Sequence, residues 1–292
     1  MSIKKKILIL GSSGSLGYEL YNKLKNSFLV IHNGLQKRKV DITNLENLKN
    51  IIIKHKPDII INSVACVNLD LCEKDRKNCF NINTKIVKDL FLIKNQINQN
   101  FKLLHFSTDQ FYDGKLLYRT ENYKIKINNY YSKTKLLSEK IALKNGSTVF
   151  RTNFFGITKN KNGPLNRFLK NSLKTKNCVL FEDVYFNPLR IKTLSEIIKK
   201  IIKSNKIYPG LFNLASKKGL SKKDFYILFF KHLNRNIEFK TVKVNSYLNT
   251  KRSKNMLMSV NKFEKKFKIQ LPLVENEIKK EVAENYEKIK NW

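Results

Sequence analysis

The feature that most constrains the fold lies at the N-terminus. A short apolar run, Ile7-Leu8-Ile9-Leu10, meets Gly11-Ser12-Ser13-Gly14-Ser15-Leu16-Gly17. Lys4-Lys5-Lys6 precedes the run, as in an export signal, but the run falls short of the roughly 7–15 apolar residues such a signal needs. A buried first strand fits better. Beyond the glycines, Leu16, Leu20 and Leu24 recur on one face of a helix. Strand, glycine turn and helix in that order bring backbone N–H groups and the positive end of a helix dipole to one point, which suits a pyrophosphate. Gly11 and Gly14 permit the tight turn and the close backbone approach. The spacing is GxxGxxG rather than GxGxxG, a pattern that alone also serves as a plain turn.

The alternation continues along the chain. Residues 28–31, 40–42, 59–61, 101–106 and 148–150 read as further strands. Helices are expected over 14–25, from a Thr43 or Asn44 cap to 54, near 75–95 and over 130–143, with 107–129 a long loop. Short apolar strands alternating with amphipathic helices predict an α/β fold with a Rossmann-type, doubly wound parallel sheet covered on both faces. Ligands bind such sheets beyond the carboxyl ends of the strands. Gly11, Ala65, Thr108 and residues 151–153 occupy those ends.

After about residue 152 the rhythm loosens. Helices are expected after Gly163-Pro164, over 193–203, 221–233 and 274–290, with a brief strand at 179–181. Residues 210–214 read as a late strand returning to the main sheet. The expected division is therefore 1–152, a dinucleotide-binding domain, and 153–292, a smaller substrate lobe with segments returning to the sheet.

Composition excludes some classes. The chain has 292 residues, 41% of them hydrophobic, enough for a core. No apolar run approaches the roughly 20 residues of a membrane span. The net charge of +35 suggests nucleic acid. However, the positive residues are mostly Lys, spread along the chain among many Asn and Ile, whereas base and phosphate readout favours Arg forks. Nucleic acid is not the expected partner, and the same field attracts small nucleotide anions. Cys66, Cys72, Cys79 and Cys178 contain no CxxC pair, and no metal site is expected. They read as scattered, apolar packing thiols, consistent with a reducing cytoplasm.

The chemistry-bearing pair is Tyr131 and Lys135, four residues apart on one helical face. An ammonium beside a phenol favours the phenolate, so such a Tyr can exchange a proton at a carbonyl or alcohol while a nicotinamide moves hydride. Tyr130 and Tyr18 lack a Lys at the same spacing. Ser107-Thr108-Asp109 ends the strand at 101–106. Pleat alternation turns one of the two hydroxyls to the site, and Thr108 is the choice for binding the reacting oxygen. The residue ending the second strand selects between cofactors, since a carboxylate there binds the ribose hydroxyls of NAD. That position is neutral Asn33. Lys37 and Arg38 follow and can meet a 2′-phosphate, which tilts the expectation to NADPH over NADH. Asp41 and Ile42 end the expected third strand, where the adenine would lie.

Together these residues resemble the extended short-chain dehydrogenases/reductases, and more narrowly the dTDP-4-dehydrorhamnose reductase group of sugar-nucleotide reductases. The resemblance covers nearly the whole chain. Besides the glycine loop it includes Asn62-Ser63-Val64-Ala65 with Asp70 and Glu73, Asn83, Ser107-Thr108-Asp109-Gln110-Phe111-Tyr112-Asp113-Gly114, Tyr131-Ser132-Lys133-Thr134-Lys135 and Arg151-Thr152-Asn153-Phe154. Phe267-Lys268-Ile269-Gln270-Leu271-Pro272 also matches.

The resemblance implies Thr108, Tyr131 and Lys135 as the catalytic trio. It implies Ser13, Gly14, Ser15, Leu16, Asp41, Ile42, Ser63, Val64 and Ala65 around the cofactor, beside Gly11, Gly17 and Asn33. It places Thr108, Asp109 and Phe154 near a nucleotide-sugar substrate, and it implies a homodimer. Three positions depart from the pattern: Asn153-Phe154 replaces Ser-Trp, and Gln110 stands where the reductases carry Tyr. The dehydratase relatives carry Glu at that place, so Gln110 argues against dehydration. The implied activity is reduction of a 4-keto group on a nucleotide-linked deoxysugar, for cell-surface polysaccharide. An NAD-dependent epimerase uses the same Tyr and Lys. A non-catalytic nucleotide-binding subunit, like the regulatory subunit of methionine adenosyltransferase, uses the same architecture.

Overall fold

The computed structural model describes residues 4–34, 40–158 and 163–292. In chain order the first elements are β1 (Lys6–Leu10), α1 (Ser15–Leu24), β2 (Leu29–His32), α2 (Leu45–His55), β3 (Ile59–Asn62), α3 (Leu69–Lys74) and α4 (Arg76–Phe80). A π-helical turn (Asn81–Lys85) leads into α5 (Ile86–Gln96), then β4 (Lys102–Phe106), α6 (Tyr130–Lys144), β5 (Thr148–Thr152) and β6 (Phe154–Phe155). There follow α7 (Pro164–Thr175), β7 (Asn177–Phe181), β8 (Tyr185–Phe186), β9 (Leu189–Arg190), α8 (Ile191–Lys203) and β10 (Gly210–Leu214). The last are β11 (Leu220–Ser221), α9 (Lys222–His232), β12 (Glu238–Val242), α10 (Val244–Tyr247), α11 (Asn261–Phe267) and α12 (Val274–Lys290).

Six strands form one sheet in the order β10-β5-β4-β3-β1-β2. The pairings β1·β2, β1·β3, β3·β4 and β4·β5 are parallel, so this is the doubly wound α/β sheet expected. The chain winds outward in both directions from β1 and β3. Register aligns Leu10 with Asn62 and Asn62 with His105, so the carboxyl ends of β1, β3 and β4 finish level. Residues 210–214 do join the sheet, beside β5. Residues 40–42 do not form the third strand expected. Asp41 Oδ1 instead accepts from the backbone N–H (2.9 Å) and hydroxyl (2.7 Å) of Thr43, closing a local turn that competes with strand pairing.

The chain forms two compact units. The first comprises Met1–Thr108, Asn129–Arg151 and Ser195–Phe212, and the second Asp109–Asn128, Thr152–Leu194 and Asn213–Trp292. In the first, Leu8, Leu10, Ile60, Leu90, Ile93 and Val149 are fully buried between sheet and helices. The second has its own core, in which Phe225, Phe229, Val274 and Ile278 pack with Leu169 and Val184. Its strands make three two-stranded pairs, β11·β8, β12·β7 and β6·β9.

Cys72 and Cys79 are joined as a disulfide with Cα atoms 5.1 Å apart, a pairing that the reading of four separate thiols lacks. Cys66 and Cys178 are free thiols. Among the described residues no helix is long and apolar enough to cross a membrane, and no group of three or more His, Cys, Asp or Glu is placed to hold a metal ion.

Candidate active site

The first unit carries most of the expected residues at the carboxyl ends of its parallel strands. Gly11 leaves β1 with φ +83°, and a Cβ there would meet Ser63 and Val64 at 3.0 Å. Gly17 is tighter, since a Cβ would lie 2.2 Å from the Gly11 carbonyl oxygen. The two glycines let the turn, the start of α1 and the β3 end close on one another. Gly14 N–H donates to Gly11 O at 2.9 Å. As the N-cap of α1, Gly14 supplies no side-chain cap, so the first-turn N–H groups of Ser15 and Leu16 keep their direction toward an incoming anion.

Asn33 stands where the second strand ends, and its carboxamide oxygen accepts from Gly11 N–H at 3.0 Å. Its side chain thus braces the glycine turn. Ser63 does likewise at β3, donating its hydroxyl to Leu10 O at 2.7 Å. Val64 N–H is held by Asn62 Oδ1 at 3.1 Å. Ala65 precedes Cys66, whose N–H is held by Asn83 Oδ1 at 2.7 Å. Asp41 is exposed and Ile42 buried, both outside any strand. Lys37 and Arg38 lie outside the described residues.

Helix α6 starts with a capping box in which Asn129 accepts from Ser132 N–H at 2.9 Å. That cap sets the helical phase and directs Tyr131, Thr134, Lys135, Ser138 and Glu139 to the buried side. Tyr131 packs in a small cluster with Leu69, Cys72 and Cys79. Lys135 is 2% exposed, and its Nζ donates to Phe106 O, the last residue of β4, at 2.7 Å. Burial pulls its ammonium down to about 8, with Glu139 opposing. Ser107 turns its hydroxyl inward to Glu139 Oε2 at 2.8 Å, while Thr108, also buried, follows it at the β4 end.

The pairings of three buried polar groups, Glu139, Arg151 and His105, escaped the sequence reading. Glu139 forms a two-pronged ion pair with Arg151, at 2.5 Å and 3.0 Å. The signal for Glu139 was its place one turn beyond Lys135. His105 bridges Asn62 Nδ2 (3.3 Å) and Ser138 Oγ (3.2 Å), and burial, aided by Lys135, holds it neutral, well below its ordinary value.

Two expected substrate residues belong to the second unit. Asp109 is buried and accepts from Asn153 Nδ2 at 2.6 Å. Burial lowers the Lys222 ammonium, while the charge of Asp109 opposes that shift and Arg252 adds to it. Phe154, on β6, leaves 36% of its surface exposed.

A parallel sheet with a glycine turn on its first strand and a Tyr–Lys helix beside its fourth defines a nucleotide-binding α/β protein of the dehydrogenase type. The particular family follows from comparison. The sequence model of the family described as "RmlD substrate binding domain" matches residues 5–287, and the chain belongs to that family. The dTDP-4-dehydrorhamnose reductase of Aggregatibacter actinomycetemcomitans is 28% identical over 240 residues, covering 77% of this chain and 78% of the relative. The spore coat polysaccharide biosynthesis protein SpsK of Bacillus subtilis (strain 168) is 26% identical over 218 residues, covering 72% and 73%. Among solved structures, a dTDP-4-dehydrorhamnose reductase from Bacillus anthracis str. Ames in complex with NADP superposes with TM-score 0.87 at 21% identity, covering 97% of this chain and 100% of that one.

Proposed function

We propose that the protein reduces a 4-keto group on a nucleotide-linked deoxysugar, using NADPH or NADH, and so supplies a precursor for cell-surface polysaccharide. The observation that carries this reading is the placement of Tyr131 and Lys135 on α6, with the buried Lys135 ammonium on the carbonyl that ends β4. The glycine turn fits a dinucleotide, because the close packing of Gly11 on Ser63 and Val64 and of Gly17 on Gly11 brings the uncapped first-turn N–H groups of α1 to the end of β1. In this reading Ser13, Gly14, Ser15 and Leu16 receive the pyrophosphate, and Asn33, Asp41 and Ile42 lie toward the adenosine. Ser63, Val64 and Ala65 lie along the cofactor between them.

The bound cofactor supplies hydride. Thr108 holds the keto oxygen, and Tyr131 gives its hydroxyl proton to that oxygen as negative charge develops. Lys135 keeps positive charge near the phenol and contacts the cofactor's ribose. Asp109 and Phe154 contribute to holding the sugar nucleotide, and Gln110 supplies no second carboxylate for dehydration. The names of the curated relatives support the substrate class, and the family resemblance supports a homodimer.

The test is loss of NADPH absorbance with dTDP-4-keto-6-deoxyhexose, beside NADH and a no-sugar control. Sugar-dependent consumption is expected, and Tyr131→Phe should abolish it while leaving cofactor binding nearly intact. Interconversion of sugars without net consumption would instead establish an epimerase. A Tyr131→Phe variant that keeps most of its turnover would overturn the proton-donor role.

A further inference from the structure

We propose that Glu139, fixed by Arg151 and Ser107, is a positioning residue that keeps Lys135 in its charged form at working pH. The proposal rests on the role of Lys135 given above. Lys135 and Glu139 are i and i+4 on α6, and both are 2% exposed. A buried ammonium survives only beside compensating charge or well-placed acceptors. Phe106 O supplies one acceptor at 2.7 Å, and Glu139 supplies the charge.

The carboxylate of Glu139 is itself fixed on three sides. Arg151 grips both oxygens from β5, and the Ser107 hydroxyl closes on Oε2 at 2.8 Å. A two-pronged guanidinium pair has little rotational freedom. Ser107 is also tied through its N–H to Phe150 O at 2.7 Å, and it directly precedes Thr108. The same carboxylate thereby steadies the end of β4.

Other titratable groups around this helix do not take over the task. His105, on β4, is neutral. Tyr131 is the proposed proton donor. On α5, Asp89 is paired with Lys85 at 2.5 Å. Cys79 is bonded to Cys72. Arg151, on β5, is a cation and on its own opposes a charged Lys135.

The experiment compares Glu139→Gln, Glu139→Asp, the double variant Glu139→Gln/Arg151→Gln and Lys135→Met. Each is measured for kcat from pH 6 to 10, for NADPH affinity by fluorescence, and for unfolding of the cofactor-free protein against pH. The wild-type Lys135 value of about 8 lies below that of an unfolded lysine, about 10.4. The unfolded chain therefore binds more protons in that window, and stability contributed by this group rises with pH across it. In E139Q the lower edge of the window and the alkaline limb of kcat should both move to lower pH. The kcat of E139Q should fall roughly tenfold more at pH 8.5 than at pH 6.5. E139D should restore the limb. The double variant leaves no unpaired guanidinium beside Lys135, so it carries the test if E139Q fails to fold. Its limb should also move to lower pH, though less.

A limb unmoved in E139Q and in the double variant, with only a fall in melting temperature, would reduce Glu139 to a structural brace and overturn the proposal. Lys135→Met separates the two readings. Turnover and an alkaline limb that persist in K135M would refute the role of Lys135 itself. Loss of turnover in K135M with an unmoved limb in E139Q would refute only the role of Glu139.

Discussion

Gly17 has no room for a methyl group. Its Cβ would lie 2.2 Å from Gly11 O and 2.6 Å from Gly11 C, both backbone atoms that cannot swing away. Gly14 differs, since its nearest contact would be 3.3 Å and its φ is −75°. Gly17→Ala should therefore cost about 1–3 kcal/mol or more of stability and most of the NADPH affinity. Gly14→Ala should fold nearly as the wild type. Thermal melts and fluorescence titration of both variants check this, and equal behaviour would refute the close-approach explanation. Asp113, in the second unit, supports a pH prediction. Burial raises its carboxyl. The N–H of Lys254 at 3.0 Å and the amide of Asn128 at 2.9 Å, with Gly114 and Lys126, outweigh that and hold it at about 2. A folded value below the ordinary 3.8 gives stability that is present above 3.8 and lost as pH falls toward 2. Asp113→Asn should cost about 1–3 kcal/mol near neutrality and flatten that acid slope. Urea melts between pH 2 and 5 measure it, and an identical acid slope in both proteins would exclude Asp113 as its source.

The π-helical turn at Asn81–Lys85 is the element that ties helix packing to the proposed cofactor edge. It places Asn83 so that its amide accepts from Cys66 N–H and donates to Thr134 Oγ1 at 3.0 Å. Asn83→Ala would leave the half-buried Cys66 N–H without this partner, at about 1 kcal/mol, and should weaken NADPH binding because residues 63–66 lose their anchor. Unchanged affinity in a folded N83A would show that the turn does not govern that loop. A π turn of this kind is invisible to apolar periodicity, which reads residues 75–95 as one helix. Other elements were legible for physical reasons. The Leu16, Leu20, Leu24 stripe and the capped helix after Asn44 follow from local side chains alone, and both form as expected. Val40-Asp41-Ile42 misleads because β-branched residues flank an Asp whose side chain makes a turn. Tyr131 and Lys135 stand out because four residues of one helix carry both groups. Arg151 reaches Glu139 only across the fold, from strand to helix, and no local pattern reports that pairing.

At the scale of the molecule, each unit is assembled from three chain segments, and the chain passes between units at 108/109, 128/129, 151/152, 194/195 and 212/213. The sequence rhythm places the boundary near 152, with only 210–214 returning to the sheet, because it registers spacing of elements and not which elements pack together. A fragment ending at residue 152 would lack β10, leaving β5, all five residues of it buried, as an open edge. Such a fragment should aggregate or remain partly unfolded, as judged by circular dichroism and sedimentation. A monomeric, cooperatively melting 1–152 fragment would contradict the assignment of 195–212 to the first unit. The interleaving also has a consequence at the ribosome. Synthesis is vectorial, and the six-stranded sheet waits for its last edge strand until Gly210–Leu214 has emerged. Until then the nascent chain carries an unsealed edge while parts of the second unit are already outside. Slowing translation just before residue 210 would prolong that exposure, so yield of the folded protein should depend on codon speed and chaperone supply there more than anywhere near 152.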